Sequence, residues 1–155
     1  MLASEVWPGR YGAGRRKRMD LRNGHIFQAQ EALLLNPLQL AYLGDVVWET
    51  MIRFELIRKR LNVRHMHQEC VKYVNAQSQA ATLKIIFDML SPEEQDLVRR
   101  GKNAHAHHPA PRNQGLENYS AATGFESLIG YLYLTGQDER LGEIFRVCIS
   151  GEKNS

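Results

Sequence analysis

Residues 40–49, LAYLGDVVWE, place a glycine and an aspartate inside an apolar run. The run extends in both directions at helical spacing, and Asn36-Pro37 before it supplies an N-cap residue and a proline for the first helical position. We therefore predict one long helix that begins at Pro37 and reaches a basic end in residues 57–61, IRKRL. Asp45 lies among the expected core residues of this helix and needs a compensating partner, because an unpaired buried charge costs several kcal/mol.

The rest of the chain from about residue 25 carries helical signals and lacks the alternation typical of strands. Ser91-Pro92-Glu93-Glu94 is a capping box that begins a short helix, which we expect Gly101 to end. Gly136 is expected to end an apolar helix in the same way. The remaining segments with helical spacing are residues 65–90, which form one or two helices, residues 120–134 and residues 138–148. The predicted fold class is all-α.

Length and cysteine usage restrict the class of protein. A chain of 155 residues is the size of one domain. Cys70 and Cys148 lie far apart and neither belongs to a Cys-x-x-Cys pair, so the sequence predicts no zinc site and no disulfide framework. No apolar stretch is long enough for a transmembrane helix or a signal peptide. We therefore expect a cytoplasmic protein that does not contact the membrane.

The formal net charge of +3 is concentrated at the N-terminus. Residues 1–23 contain six basic and two acidic side chains, whereas the remainder of the chain sums to −1. The glycine and arginine content of this segment is typical of disorder. We divide the chain into a basic, disordered N-terminal extension, residues 1–24, and a folded domain, residues 25–155. The extension could contact phosphates or serve only to keep the protein soluble.

Glu126 is a second carboxylate within an apolar helix, as Asp45 is in the stretch LAYLGDVVWE. Two acids that approach each other in a core repel unless a cation neutralises both. Mg²⁺, held by one or two carboxylates with waters completing its octahedron, would satisfy the pair. Gly44 and Gly124 lie near the two acids and would let the helices approach closely. The alternative is that the glycines serve packing alone and that Arg or Lys side chains neutralise the acids.

The stretches LAYLGDVVWE and TGFESLIGYLYL, residues 40–49 and 123–134, resemble the two signature helices of the ribonuclease III catalytic domain. The segments KYVNAQSQA and VRRGKNA resemble those of the Mini-III subfamily, which consists of the catalytic domain without a double-stranded-RNA-binding domain. The resemblance covers about residues 31–150. It implies that residues 25–155 are a ribonuclease III-like catalytic domain and that Asp45 and Glu126 are its catalytic, metal-binding acids.

Two other acids of the general family pattern are absent, because Ala41 and Thr123 occupy their positions. Mini-III proteins share both losses. Thr123, one turn before Glu126, could orient a water bound to the metal. Glu49, one turn after Asp45, could lend a further carboxylate or could be an ordinary helix-surface residue.

Residues 101–119 form a long segment rich in glycine, proline, histidine and asparagine, and long loops of this kind are often functional. The histidines lack a fixed spacing for zinc. The segment could be a solvated loop, but the resemblance to Mini-III favours contact with an RNA duplex. The residues predicted to bind RNA are Arg100, Lys102, Asn103, His105, His107, His108 and Arg112.

The resemblance implies an endoribonuclease that depends on Mg²⁺, for which Mn²⁺ can substitute, and that cleaves double-stranded RNA. It further implies precursor large-subunit (23S) ribosomal RNA as substrate, a ribosomal protein as an additional partner, and a homodimer with interface candidates among apolar residues 42–56. One alternative is a catalytically silent ribonuclease III-like dimer that binds structured RNA as a ribosome-associated scaffold. Another is a phosphohydrolase of small nucleotides, which would need a His-Asp pair that the sequence lacks.

Overall fold

The computed structural model describes residues 21–104 and 115–150, and these residues form helices without any strand. The predicted all-α fold class is confirmed. A single-turn 3-10 helix, Phe87–Met89, lies between α4 and α5. The α-helices are α1 (Ala29–Leu33), α2 (Pro37–Arg58), α3 (Val63–Val74), α4 (Ala76–Ile86), α5 (Pro92–Asn103), α6 (Leu116–Leu134) and α7 (Asp138–Ser150).

Local capping fixes the start of α2 where the sequence predicts it. The Asn36 side chain accepts a hydrogen bond from the Leu38 amide at 3.0 Å, and the Gln39 side chain accepts one from the Asn36 amide at 3.1 Å. This reciprocal arrangement satisfies amide groups that no helical carbonyl can reach. Asn75 divides residues 65–90 into two helices, because its side chain accepts from the Ser78 amide at 2.9 Å and caps α4.

The predicted capping box at the start of α5 is also present, with the Ser91 hydroxyl accepting from the Glu94 amide at 3.1 Å. The prediction that Gly101 ends this helix is wrong, because α5 continues to Asn103. Gly101 instead faces α6. A Cβ at this position would lie 2.7 Å from Ser127 Oγ and 2.9 Å from Gly124 Cα, so the glycine is required by packing and not by a turn.

The central helix of the fold is α6, which packs against α2, α4, α5 and α7. It is apolar on nearly all sides, as expected for a helix surrounded by others. Phe125 on α6 is fully buried and meets Trp48 of α2 edge to face, with ring centroids 4.8 Å apart. Trp48 in turn contacts Phe145 of α7 at 5.5 Å. These three rings lock α2, α6 and α7 into one core.

At the crossing of α2 and α6 the two backbones touch. A Cβ on Gly44 would lie 1.8 Å from the carbonyl oxygen of Glu126, and a Cβ on Gly130 would lie 2.0 Å from the carbonyl oxygen of Leu40. No side chain fits at either position. The expectation that the two glycines permit close helix approach is therefore correct, with Gly44 at the crossing of α2 and α6 and Gly124 against the backbone of Val98 in α5.

The chain before α1 is tied to the far end of α6. Arg22 donates to the Tyr133 carbonyl at 2.9 Å and forms a bidentate ion pair with Asp138, both bonds being 2.8 Å long. The Phe27 amide donates to the Leu134 carbonyl at 3.0 Å. Most of the predicted N-terminal extension lies outside the described residues, and the boundary at residue 25 stays a prediction. Within the described part of the chain, no helix combines the length and hydropathy needed to span a membrane.

Candidate active site

The backbone contact between α2 and α6 brings Asp45 and Glu126 together. Gly44, the residue before Asp45, packs directly on the Glu126 carbonyl, so the two acids occupy adjoining positions at the crossing. Glu126 is partly buried and Asp45 is exposed. The expectation that Asp45 is buried is wrong, because the side of α2 next to it faces outward. Tyr42 and Val46, two apolar residues of the stretch LAYLGDVVWE, have 83% and 59% of their surface exposed.

The Glu126 carboxyl group has an unusual protonation equilibrium. Its pKa rises from the ordinary 4.5 to about 7, mainly because burial penalises the charged form and also because the Asp45 carboxylate repels it. The neighbouring Asp45 side chain favours the protonated form further, whereas the side-chain amide of Gln79 acts in the opposite direction. The two carboxyl groups are therefore close enough for the charge of Asp45 to disfavour ionisation of Glu126.

No basic side chain neutralises this pair in the described part of the chain. The ion pairs recorded there involve other acids, namely Asp138, Glu49, Glu55, Glu69, Glu94 and Glu143. The alternative in which Arg or Lys compensates the acids finds no support among these residues. Two adjacent oxygen-donor groups without a counter-charge suit a hard divalent cation.

The number and type of side chains that can bind a metal ion indicate which ion a site can hold. Among the described residues there is no group of three or more His, Cys, Asp or Glu side chains that could enclose a metal ion. Zinc sites usually need three or four such ligands, but Mg²⁺ binds through one or two carboxylates and keeps several waters. Asp45 and Glu126 supply oxygen donors of the kind that a hard divalent cation prefers.

Thr123 and Glu49, for which the sequence suggested supporting roles at the metal site, form hydrogen bonds with other groups. Thr123 is buried, and its hydroxyl donates to the Tyr119 carbonyl of its own helix at 3.0 Å. Glu49 accepts a hydrogen bond from Arg53 Nε at 2.9 Å, which is an ordinary pair one turn apart on a helix surface. The structure directs neither side chain at the two acids.

Sequence reasoning missed Gln79. This residue lies in the first turn of α4, is only 1% exposed and acts on Glu126 through its amide. The segment KYVNAQSQA contains it, but helical spacing alone does not show which of the polar residues there faces inward. A buried glutamine can be recognised only once α4 is placed against α6.

The residues predicted to bind RNA divide into two groups. Arg100 is half-buried and donates to the Leu33 carbonyl at 3.0 Å, so part of its guanidinium group holds α5 against the end of α1. Lys102 and Asn103 are exposed at the end of α5. Lys102 lies beside Gly124 of α6, where a Cβ would approach its Cγ to 2.9 Å. The other predicted residues, His105, His107, His108 and Arg112, lie outside the described residues.

The sequence profile of the ribonuclease III domain matches residues 38–137, a range that includes Asp45 and Glu126. This match assigns the chain to the endoribonucleases with a ribonuclease III domain. A Mini-ribonuclease 3 from a Thermoanaerobacter species is 42% identical over 130 residues, which cover 83% of this chain and 91% of the relative. A Mini-ribonuclease 3 from Symbiobacterium thermophilum is 47% identical over 115 residues, which cover 74% of this chain and 88% of the relative.

A crystal structure of a protein from Fusobacterium nucleatum has the same fold, with a TM-score of 0.69 and 31% sequence identity. The match covers 77% of this chain and 95% of the Fusobacterium chain. The chain belongs to the Mini-ribonuclease 3 family, which confirms the resemblance seen in its two signature stretches.

Proposed function

We propose that this endoribonuclease depends on Mg²⁺ and cleaves double-stranded RNA, with precursor large-subunit ribosomal RNA as its substrate. The observation that carries the metal requirement is the Asp45–Glu126 pair. The Asp45 carboxylate raises the electrostatic cost of ionising Glu126, and no basic side chain in the described residues offsets it. A bound divalent cation would remove that cost and make both carboxylates its ligands.

The chain's own residues would contribute position and charge to hydrolysis. The Gly44–Glu126 contact holds the backbones that carry the two carboxylates against each other, so the site does not depend on a flexible loop. Bound Mg²⁺ supplies activation of water and stabilisation of charge on the phosphodiester. Asp45 is exposed, so an RNA backbone could reach the pair from the solvent side.

Recognition of the duplex is proposed to use the end of α5 and the segment after it. Lys102 and Asn103 are exposed there, and Lys102 lies beside Gly124 of α6. His105, His107, His108 and Arg112 extend this group of potential phosphate contacts in sequence. Double-stranded RNA presents phosphates and 2′-hydroxyls across a wide minor groove, so we expect recognition mainly by shape.

A homodimer is part of the proposal because α2 carries an exposed apolar stripe next to Asp45. We define this stripe as Tyr42, Val46, Phe54 and Ile57, which lie on the same side of the helix and are each 59–83% exposed. A second copy that covers the stripe would place two sites on one assembly with twofold symmetry. The assembly would then have a longer footprint on one RNA duplex.

The test is cleavage of a long RNA duplex by the full chain with Mg²⁺, and with EDTA in its place. Products that appear only with Mg²⁺ support the proposal, and products in EDTA contradict it. Precursor 23S ribosomal RNA is compared with an unrelated duplex of equal length to test the substrate. A ribosomal protein partner would increase cleavage of the precursor only.

The alternative is a catalytically silent dimer that binds structured RNA as a scaffold. Its specific support is the presence of Ala41 and Thr123, both buried, where the general family pattern has acids. Binding of the duplex without cleavage at any Mg²⁺ or Mn²⁺ concentration would favour this alternative over the enzyme.

A further inference from the structure

A cavity of about 320 Å³ lies between α4, α5 and α6, and neither of the two candidate acids lines it. Its volume falls at the lower end of the range for small-ligand sites, about 300–1,000 Å³. Buried and half-buried apolar side chains form part of its lining, namely Ala80, Leu83, Phe87 and Ala121. An apolar surface that includes an aromatic ring suits a flat ring system better than a bare ion.

Polar side chains complete the lining and carry charges of both signs. They are Lys84, Asp88, Lys102, Glu117 and Asn118. In the part of the chain that the structure describes, the recorded ion pairs and side-chain hydrogen bonds involve none of them. The cavity therefore offers free ammonium donors, free carboxylate acceptors and an amide that both donates and accepts. This mixed set suits a ligand that combines an anionic group with hydrogen-bonding edges of both kinds.

The aromatic part of the lining is held in place from α5. Gln95 Nε2 donates to the Phe87 carbonyl at 3.1 Å and so fixes the 3-10 helix between α4 and α5. The Arg99 guanidinium lies over the Phe87 ring, 5.8 Å from its centroid, and Arg99 does not line the cavity. The stem of Lys102 packs on α6, since a Cβ on Gly124 would lie 2.9 Å from Lys102 Cγ. The cavity is thus largely preformed, which lowers the entropic cost of binding.

We propose that this cavity binds an unpaired nucleotide, with its base against Phe87, the edge of the base at Asn118, and its phosphate at Lys84 and Lys102. A base within a duplex is stacked on both faces and paired along its edge, so only a nucleotide outside the stack can enter. Such a nucleotide is either part of an RNA or a free nucleoside monophosphate. For the RNA source, the inference rests on the proposed binding of duplex RNA.

The RNA source is tested in EDTA with a fully paired duplex and a duplex of equal length that carries a single-nucleotide bulge. Fluorescence anisotropy measures their binding to the full chain, and we expect the bulged duplex to bind about 10-fold more tightly. Lys84→Ala and Asn118→Ala should each reduce this preference by about threefold or more. Lys59→Ala, which alters an exposed lysine outside the cavity, should leave the preference unchanged. A lysine that only attracts phosphates affects both duplexes equally, so the ratio reports on the cavity.

The free source is tested with AMP, GMP, CMP and UMP, each added in EDTA to the wild-type chain. The side-chain amide resonances of Asn118 should shift, and those of Gln77, exposed on α4, should not. A shift without a bulge preference supports a free nucleotide, and a bulge preference lost in the two variants supports RNA. A preference that survives both substitutions, or the absence of both preference and shift, overturns the inference. A wild-type chain that binds neither duplex overturns the proposed function, and the nucleotide titration still decides the inference.

Discussion

At the scale of single residues, the Glu126 carboxyl group makes stability depend on pH. In the unfolded chain it titrates at about 4.5, and in the folded protein at about 7. Between these values the folded protein holds a proton that the unfolded chain has lost. The free energy of unfolding therefore falls as the pH rises from 4.5 to 7. In EDTA we expect the melting temperature to decrease by several degrees between about pH 5 and pH 8.

The control for this pH dependence is Glu126→Gln, which has the same shape and no titration. Its melting temperature should change less across the same pH range. The difference between the two curves then gives the contribution of the Glu126 carboxyl group to the pH dependence. Mg²⁺ should flatten the wild-type curve, because a bound cation favours the ionised form. Parallel curves for wild type and variant would contradict the raised pKa.

The two acids also predict the effect of substitutions on activity. Asp45→Asn and Glu126→Gln each keep the shape of the side chain and remove a charge needed to hold the metal. We expect each to lower the rate of duplex RNA cleavage by at least about 100-fold, since the charge stabilisation is worth several kcal/mol. Gel-shift binding of the duplex should change little. Glu49→Gln, which alters a surface acid on the same helix, should cleave at the wild-type rate.

The identities of these acids could be predicted from the sequence, and their environments could not. A carboxylate within an apolar run is visible in LAYLGDVVWE, but helical spacing does not show that Tyr42 and Val46 face outward and leave Asp45 exposed. The burial of Gln79 could not be predicted from the sequence for a related reason. Its burial depends on a neighbouring helix, and only the packing of α4 on α6 reveals it.

At the scale of elements, the crossing of α2 and α6 should tolerate no added side-chain atom. Gly44→Ala would place a Cβ 1.8 Å from the Glu126 carbonyl oxygen, a backbone atom that cannot turn aside. We expect the helices to separate and the free energy of unfolding to fall by about 3 kcal/mol or more, at the upper end of overpacking effects. Urea unfolding measures the loss, and cleavage should fall with it because the acids move apart.

Gly142→Ala is the matched control, since a Cβ on this α7 residue would have only Arg146 Nη1 nearby, at 3.6 Å. An interior helical glycine costs about 1 kcal/mol relative to alanine, so this variant should be unchanged or slightly more stable. Equal stability of Gly44→Ala and wild type would refute the close crossing.

Helix boundaries show where local sequence is sufficient to predict an element. The starts of α2 and α5 were predictable because their caps are formed by residues within three positions of Asn36 and Ser91. The end of α5 was not. Gly101 has the appearance of a helix terminator in sequence, yet the contact with Ser127 and Gly124 that explains it comes from another part of the chain.

At the scale of the whole molecule, the exposed stripe on α2 should determine the oligomeric state. Val46→Glu would place a charge within a surface that the proposed dimer buries, so we expect a monomer by analytical ultracentrifugation and reduced affinity for long duplexes. Ile85→Glu alters a residue of α4 that is also exposed and apolar, at 56%, but lies outside the stripe, and should leave the dimer intact. A dimer that survives Val46→Glu would place the interface elsewhere.

The contact between Gly44 and the Glu126 carbonyl has a consequence for local opening of the structure. Many proteins place binding residues on segments that exchange their amide hydrogens quickly, because these segments unfold independently of the core. Here the candidate acids belong to the two helices whose backbones touch, so neither can open unless the core opens. The amides of α2 and α6 beside Asp45 and Glu126 should therefore exchange with deuterium only through global unfolding, among the slowest in the chain.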